Sequence, residues 1–214
     1  MIETYAEFIA RAAGAPPKTT DDCYTPDAIY DIVKDYVLSE RGFAGCKVIR
    51  PFWNGCDYQD REYPEGCVVI DNPPFSILAT VCKWFNERGI DYFLFAPALT
   101  AIGLPAPSHV LAGATIIYDN GVDVRTSFVS SRGAVIESCP VLYRRIKDYQ
   151  DARRAKPVAR NAVKRKVVYP TELVTSATIM RLSRYGVEYS ESRCARVEYL
   201  DNTRTRVFGA GYLV

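Results

Sequence analysis

A run of β-branched residues that stops on two prolines constrains this chain more than any other stretch: Val68-Val69-Ile70-Asp71-Asn72-Pro73-Pro74-Phe75-Ser76. Three β-branched residues in succession, with no polar alternation, predict a strand buried on both faces, as in the interior of a parallel sheet. The prolines stop it, because neither has an N–H to give to a ladder and each holds the preceding residue in extended geometry. Asp71 and Asn72 are therefore expected at the carboxyl end of a buried strand, where open α/β sheets bind ligands. Proline-fixed backbone there presents its carbonyl and amide groups rigidly, and the Phe75 ring is available to stack on a planar group.

The surrounding pattern extends this into an α/β fold. Ile77, Leu78, Val81, Cys82, Trp84 and Phe85 recur at helical spacing up to Gly89, with Ser76 as the expected N-cap. Ile90-Asp91-Tyr92-Phe93-Leu94-Phe95-Ala96-Pro97 then reads as a second buried strand, making residues 67–97 a right-handed βαβ unit. Residues 98–113, rich in proline and glycine, read as a loop that contains the single histidine, His109, in a structural or solvent-exposed role. Two apolar runs, 114–118 and 122–129, flank Asp119-Asn120-Gly121, a strong hairpin signal because Asn-Gly suits the turns that match strand twist.

Upstream, residues 1–15 give a short amphipathic helix followed by an extended arm at 16–20. In Tyr24-Thr25-Pro26-Asp27, Thr25 is a plausible N-cap and Pro26 suits a first helical position, ahead of Ile29, Ile32, Val33, Tyr36 and Val37 on one face. Cys46-Lys47-Val48-Ile49-Arg50 reads as a first buried strand, and Pro51-Phe52-Trp53-Asn54-Gly55-Cys56-Asp57 follows at its carboxyl end. Only 20 positions separate Pro51 from Asp71. A parallel crossover needs on the order of a dozen residues, so at most one short connection fits between these strands.

The chain of 214 residues is long enough for one sizeable domain or a core with an appendage. Its seven cysteines, mostly within apolar runs and without a Cys-x-x-Cys pair, argue against a zinc site and for reduced thiols in a cytosolic protein. The acidic start argues against a signal peptide, and no apolar stretch is long enough to span a bilayer.

Net charge is only +2, but it is unevenly distributed. Arg144, Arg145, Lys147, Arg153, Arg154, Lys156, Arg160, Lys164, Arg165 and Lys166 face only Asp148 and Asp151. A solvated charged helix explains such a run, and so does a segment that contacts nucleic-acid phosphates. Beyond it, Tyr169-Pro170-Thr171-Glu172 is expected to start a helix to about Tyr185, and strands at 194–200 and 206–214 pair around Asp201-Asn202-Thr203.

Asn72-Pro73-Pro74-Phe75 resembles the tetrapeptide Asp/Asn/Ser-Pro-Pro-Tyr/Phe/Trp of the amino-methylating DNA methyltransferases, in the form used by phage-type adenine-specific enzymes. The resemblance implies that the Asn72 side chain and the Pro73 carbonyl accept hydrogen bonds from the exocyclic amine of a flipped adenine while Phe75 stacks on the base. Acceptors aimed at the amine protons draw the nitrogen toward tetrahedral geometry and expose its lone pair. Tyr24-Thr25-Pro26 resembles the Thr-Pro element that helps those enzymes hold S-adenosylmethionine. Pro51-Phe52-Trp53-Asn54-Gly55 stands where they carry a Pro-Phe-x-Gly-x-Gly loop, but here Gly55 is the only glycine.

Carried over residue by residue, the resemblance assigns cofactor contacts to Tyr24, Thr25, Pro26, Pro51, Phe52, Gly55, Asp57 and Asp71, the amine and base to Asn72, Pro73, Pro74 and Phe75, and DNA to the basic run. It implies a shortened Rossmann-like sheet, mostly parallel with a terminal antiparallel hairpin. The resulting organisation is an arm at 1–20, an α/β core at 21–140 and a basic α+β extension at 141–214. The short spacing leaves no room for the strands that hold the cofactor's adenosine, and no ribose-gripping carboxylate unless Asp57, Asp60 or Glu62 serves. Three readings follow: a DNA adenine methyltransferase using S-adenosylmethionine, a nucleic-acid-binding descendant that has lost the cofactor, and a structural fragment whose prolines merely end a strand.

Overall fold

The computed structural model describes residues 24–52, 57–119, 121–153, 173–197 and 211–213. The expected N-terminal helix and arm, Gly55, Asn120, the basic residues Arg154, Lys156, Arg160, Lys164, Arg165 and Lys166, the expected helix start at 169–172 and the turn at 201–203 lie outside them.

Seven strands form one mixed sheet: β1 (Lys47–Ile49), β2 (Cys67–Asp71), β3 (Asp91–Pro97), β4 (Ser108–Ile117), β5 (Asp123–Ser130), β6 (Ile136–Ser138) and β8 (Ser190–Glu191). Their order is β1-β2-β3-β5-β4-β6-β8. Strands β1, β2, β3, β4 and β6 run one way, and β5 and β8 run the other. Strands β7 (Leu173–Thr175), β9 (Ala195–Val197) and β10 (Gly211–Leu213) make a small separate antiparallel sheet with β10 in the middle.

The sheet is covered on both faces, as the uninterrupted apolar character of β2 and β3 requires. Alternate residues divide between two cores. Val68, Ile70, Phe93 and Phe95 face Ile29, Val33 and Val37 of helix α1 (Asp27–Glu40) and Leu142 and Ile146 of helix α3 (Pro140–Arg153). Val69, Tyr92 and Leu94 face Leu78, Val81 and Phe85 of helix α2 (Leu78–Glu87) and Ile179 and Met180 of helix α4 (Ser176–Arg184). Each fully buried side chain of this size contributes roughly 1.5–3 kcal/mol. Among the described residues no helix is long and apolar enough to cross a membrane.

Several expectations need correction. The strand at 47–49 is half-exposed and lies at the sheet edge, because no described strand covers its outer side. Helix α2 begins after Ile77, so the N-cap position falls on Ile77 and not on Ser76, and the Ile77 N–H closes a turn onto the Pro74 carbonyl at 3.2 Å. Helix α1 starts one residue later than expected, with Pro26 in the cap position and no side-chain cap bond from Thr25. Residues 173–175 form β7 rather than helix, and Thr175 caps α4 by accepting from Thr178 N–H. The hairpin is present, with its return strand β5 inserted between β3 and β4, but it does not end the sheet, since β6 and β8 extend it beyond β4. The first part of the region assigned to a C-terminal extension, α3, packs into the same core as α1.

The region 98–113 is shorter as a loop than expected, because β4 already begins at Ser108. His109 is therefore a strand residue, 1% exposed, with Nδ1 2.9 Å from the Val135 carbonyl and Nε2 3.1 Å from the Leu104 carbonyl. Two carbonyl acceptors favour the imidazolium, yet burial outweighs them and holds the His109 pKa below its ordinary value. Farther along β4 the register shifts between Val110 and Ala114, and Gly113 takes φ +68° there.

Two outcomes follow. A buried histidine that resists protonation stabilises the fold fully above its unfolded pKa of about 6.5, and that contribution is lost as pH falls toward the lower folded value. The urea midpoint should drop between pH 7.5 and 5.5 and should vary less over that window in His109→Gln. A Cβ on Gly113 would lie 2.5 Å from Met180 Sδ, so Gly113→Ala should cost roughly 2–5 kcal/mol from strain and overpacking, part of it recovered when Met180→Ala is added.

Candidate functional site at the carboxyl edge of the sheet

The parallel strands β1 and β2 end side by side, and one carboxylate joins them. Asp71, the last residue of β2, is 3% exposed. Its Oδ2 accepts the Phe52 N–H at 2.8 Å and its Oδ1 accepts the Asn72 N–H at 2.9 Å. Arg50, just past β1, brings Nε to 3.8 Å from the same carboxylate. A buried acid held by two backbone donors and a guanidinium fixes both strand exits at once.

The proline pair then does what its chemistry dictates. Pro73 is buried, Pro74 and Asn72 are half-buried, and Ser76 is exposed. Phe75 is half-buried against the core that contains α2. The tetrapeptide thus leaves the sheet at its carboxyl edge.

The N-terminus of α1 reaches the same edge. The Asp119 N–H, at the end of β4, donates to the Tyr24 carbonyl at 3.1 Å, which fixes the entry of the helix. Tyr24 is exposed, Pro26 is half-buried and Thr25 is 3% exposed, with an Oγ1 that has no hydrogen-bond partner. One turn on, the Tyr30 hydroxyl is also buried without a partner. The Arg50 guanidinium stacks 3.5 Å from the Tyr30 ring centroid. Burial pushes the Tyr30 phenol pKa well above its ordinary value; Arg50 opposes this and Asp71 adds to it.

The described residues of the connection between β1 and β2 form a single 3-10 turn and no α-helix. Pro51 is buried, and Phe52 packs its ring 5.4 Å from Tyr58. Tyr58 in turn meets Trp84 and Phe85 of α2, and Tyr63 joins them at 5.6–5.8 Å. Asp57 is exposed and its Oδ1 accepts the Gln59 N–H at 2.9 Å, capping a single 3-10 turn at Tyr58–Asp60. Asp60 and Glu62 are exposed.

Among the assigned residues, Thr25, Pro26, Pro51, Phe52, Asp71, Asn72, Pro73, Pro74 and Phe75 lie at or beside the strand ends β1, β2 and β4. The described basic residues do not join them. Arg145 pairs with Glu40 of α1 at 2.7 Å, the Arg144 Nε reaches back to the Pro140 carbonyl, and Arg153 donates to the Tyr149 hydroxyl. Tyr30 and Arg50 belong to the site and carried no signal of their own: Tyr30 reads as one more apolar position of α1, and Arg50 as the end of a strand. Among the described residues no group of three or more His, Cys, Asp or Glu side chains converges to hold a metal ion.

The two kinds of buried polar group should respond oppositely to removal. Tyr30→Phe deletes a hydroxyl that gains nothing in the fold, so urea denaturation should show unchanged or higher stability, by up to about 1 kcal/mol. Asp71→Ala strands two backbone donors and a guanidinium and should cost roughly 3–5 kcal/mol.

Comparison of the chain with family models, with curated proteins and with solved structures returns no match.

Proposed function

We propose that this protein is a DNA adenine methyltransferase that uses S-adenosylmethionine and adds a methyl group to the exocyclic amine of adenine. The observation that carries the reading is the exit of Asn72-Pro73-Pro74-Phe75 from a fully buried strand at the carboxyl edge, with α1 and its two unpartnered hydroxyls at the same edge. Prolines that served only to end a strand would not explain why buried polar atoms of another element gather there without partners.

The residues present fit the methionine end of the cofactor. The Thr25 and Tyr30 hydroxyls, each buried without a partner, and the Arg50 guanidinium would hold its polar groups. When bound, S-adenosylmethionine supplies an electrophilic methyl group. The chain's own part is to present acceptors, the Asn72 side chain and the Pro73 carbonyl, to the protons of the target amine. Asp71 sets their position by fixing the Asn72 N–H. Extrusion of the base costs a few kcal/mol, and stacking on Phe75 returns roughly 1–3 kcal/mol of it.

A second reading is favoured by β1, which has no described strand on its outer side, and by Asp57, whose carboxylate caps a turn. Both fit a nucleic-acid-binding protein that keeps this sheet without a methyl donor.

Calorimetric titration with S-adenosylmethionine, together with transfer of labelled methyl groups to duplex DNA, tests the proposal. Binding should weaken in Thr25→Val and Tyr30→Phe. Transfer should fall by about two orders of magnitude or more in Asn72→Ala and roughly 5- to 150-fold in Phe75→Ala. No heat with the cofactor, alongside retained DNA binding, selects the second reading.

A further inference from the structure

A cleft of about 190 Å³ lies between the β4–β5 hairpin and helices α3 and α4, lined by Thr115, Arg125, Lys147, Gln150 and Arg184 among others. Its charge is assembled from three separate elements. Arg125 comes from β5, Lys147 from α3 and Arg184 from α4. Lys147 is paired with Asp151, the one carboxylate in the lining. Among the described residues no ion pair engages Arg125 or Arg184, and both are exposed. Gln150, 6% exposed, brings an amide to the wall. With Lys147 and Asp151 offsetting each other, the two remaining guanidiniums repel a metal ion and select an anion, and guanidinium forks match the oxygens of a phosphate.

The cleft belongs to the edge already described. Arg125 pairs with Thr115 across the hairpin, and its carbonyl accepts the Ala98 N–H just past the end of β3. Strands β5 and β4, which line the cleft, lie two and three places from β2 in the sheet, lateral distances of about 10 and 15 Å. A polynucleotide that delivered an extruded base to Asn72 would carry its backbone past this cleft.

We propose that Arg125 and Arg184, with Lys147 and Gln150 beside them, bind a phosphodiester of the nucleic-acid backbone. This rests on the nucleic-acid reading above. It adds to the basic run that begins at Arg144 a phosphate contact gathered from β5, α3 and α4.

The test is fluorescence anisotropy with a short labelled DNA duplex at several salt concentrations. It compares the wild-type chain, Arg125→Gln/Arg184→Gln, and the charge-matched Lys83→Gln/Arg88→Gln on α2 and at its C-cap. The first pair should weaken binding roughly tenfold or more at moderate salt and flatten the slope of log affinity against log salt by about 1.8, each single variant taking about half. The second pair should bind close to wild type, and the first should melt with the wild type because its substituted side chains are exposed. Equal effects of the two pairs, or no effect of the first, overturn the assignment of the cleft while leaving DNA binding standing. Calorimetric binding of inorganic phosphate that is lost in Arg125→Gln/Arg184→Gln, with DNA binding unchanged, also overturns it, since the cleft then serves a free anion. A wild-type chain that binds no DNA at any salt overturns the functional reading and this inference together.

Discussion

The Asp71 carboxylate is the constraint on which the candidate site depends. A carboxylate left alone in an apolar interior is costly, and this one is retained because backbone donors from two strand exits and a guanidinium surround it. The same contacts determine where Phe52 and Asn72 begin their excursions from the sheet. Tyr30 is placed indirectly, through the Arg50 guanidinium stacked on its ring. Three parts of the chain far apart in sequence, around Tyr30, Arg50 and Asp71, thus share one buried charge.

The architecture around that charge is economical. The connection from β1 to β2 has no room for further strand–helix units, and a cluster of Phe52, Tyr58, Tyr63, Trp84 and Phe85 fills the space against α2. Edge-to-face aromatic pairs of this kind add about 0.5–1.5 kcal/mol each beyond area burial. On the other side of the sheet, the bidentate ion pair of Arg41 with Glu137, joined by Ser108, ties the end of α1 to β6. The five described cysteines are free thiols, Cys67, Cys82 and Cys139 of them buried, and burial pushes Cys82 up to about 12.

The elements legible in the sequence are those whose signal is local. β2, β3, α2 and the hairpin announce themselves through β-branched runs, helical spacing or an Asn-Gly turn. The amino-terminal half of β4 does not, because Ser108-His109-Val110-Leu111-Ala112-Gly113 is buried by its neighbours with Val110 as its one β-branched residue. β6 and β8 are three and two residues long and exist only through pairing with strands already in place. The site divides in the same way. Thr25, Asp71 and Asn72 were readable from prolines and a strand end, whereas Tyr30 with Arg50, and Arg125 with Arg184, meet only once helices and sheet have packed. Charge read along the chain pointed to a continuous run, and Arg145 within it proved to be a tie between two helices.

Strand β1 is paired on one side only among the described residues. An open strand edge offers unpaired N–H and C=O groups to any other chain and invites intermolecular sheet growth. Here the exposed ladder is three residues long and begins with the exposed Lys47, about 10 Å of template carrying a positive charge. An edge strand of only three residues that opens on a charge gives a second copy little ladder to pair with.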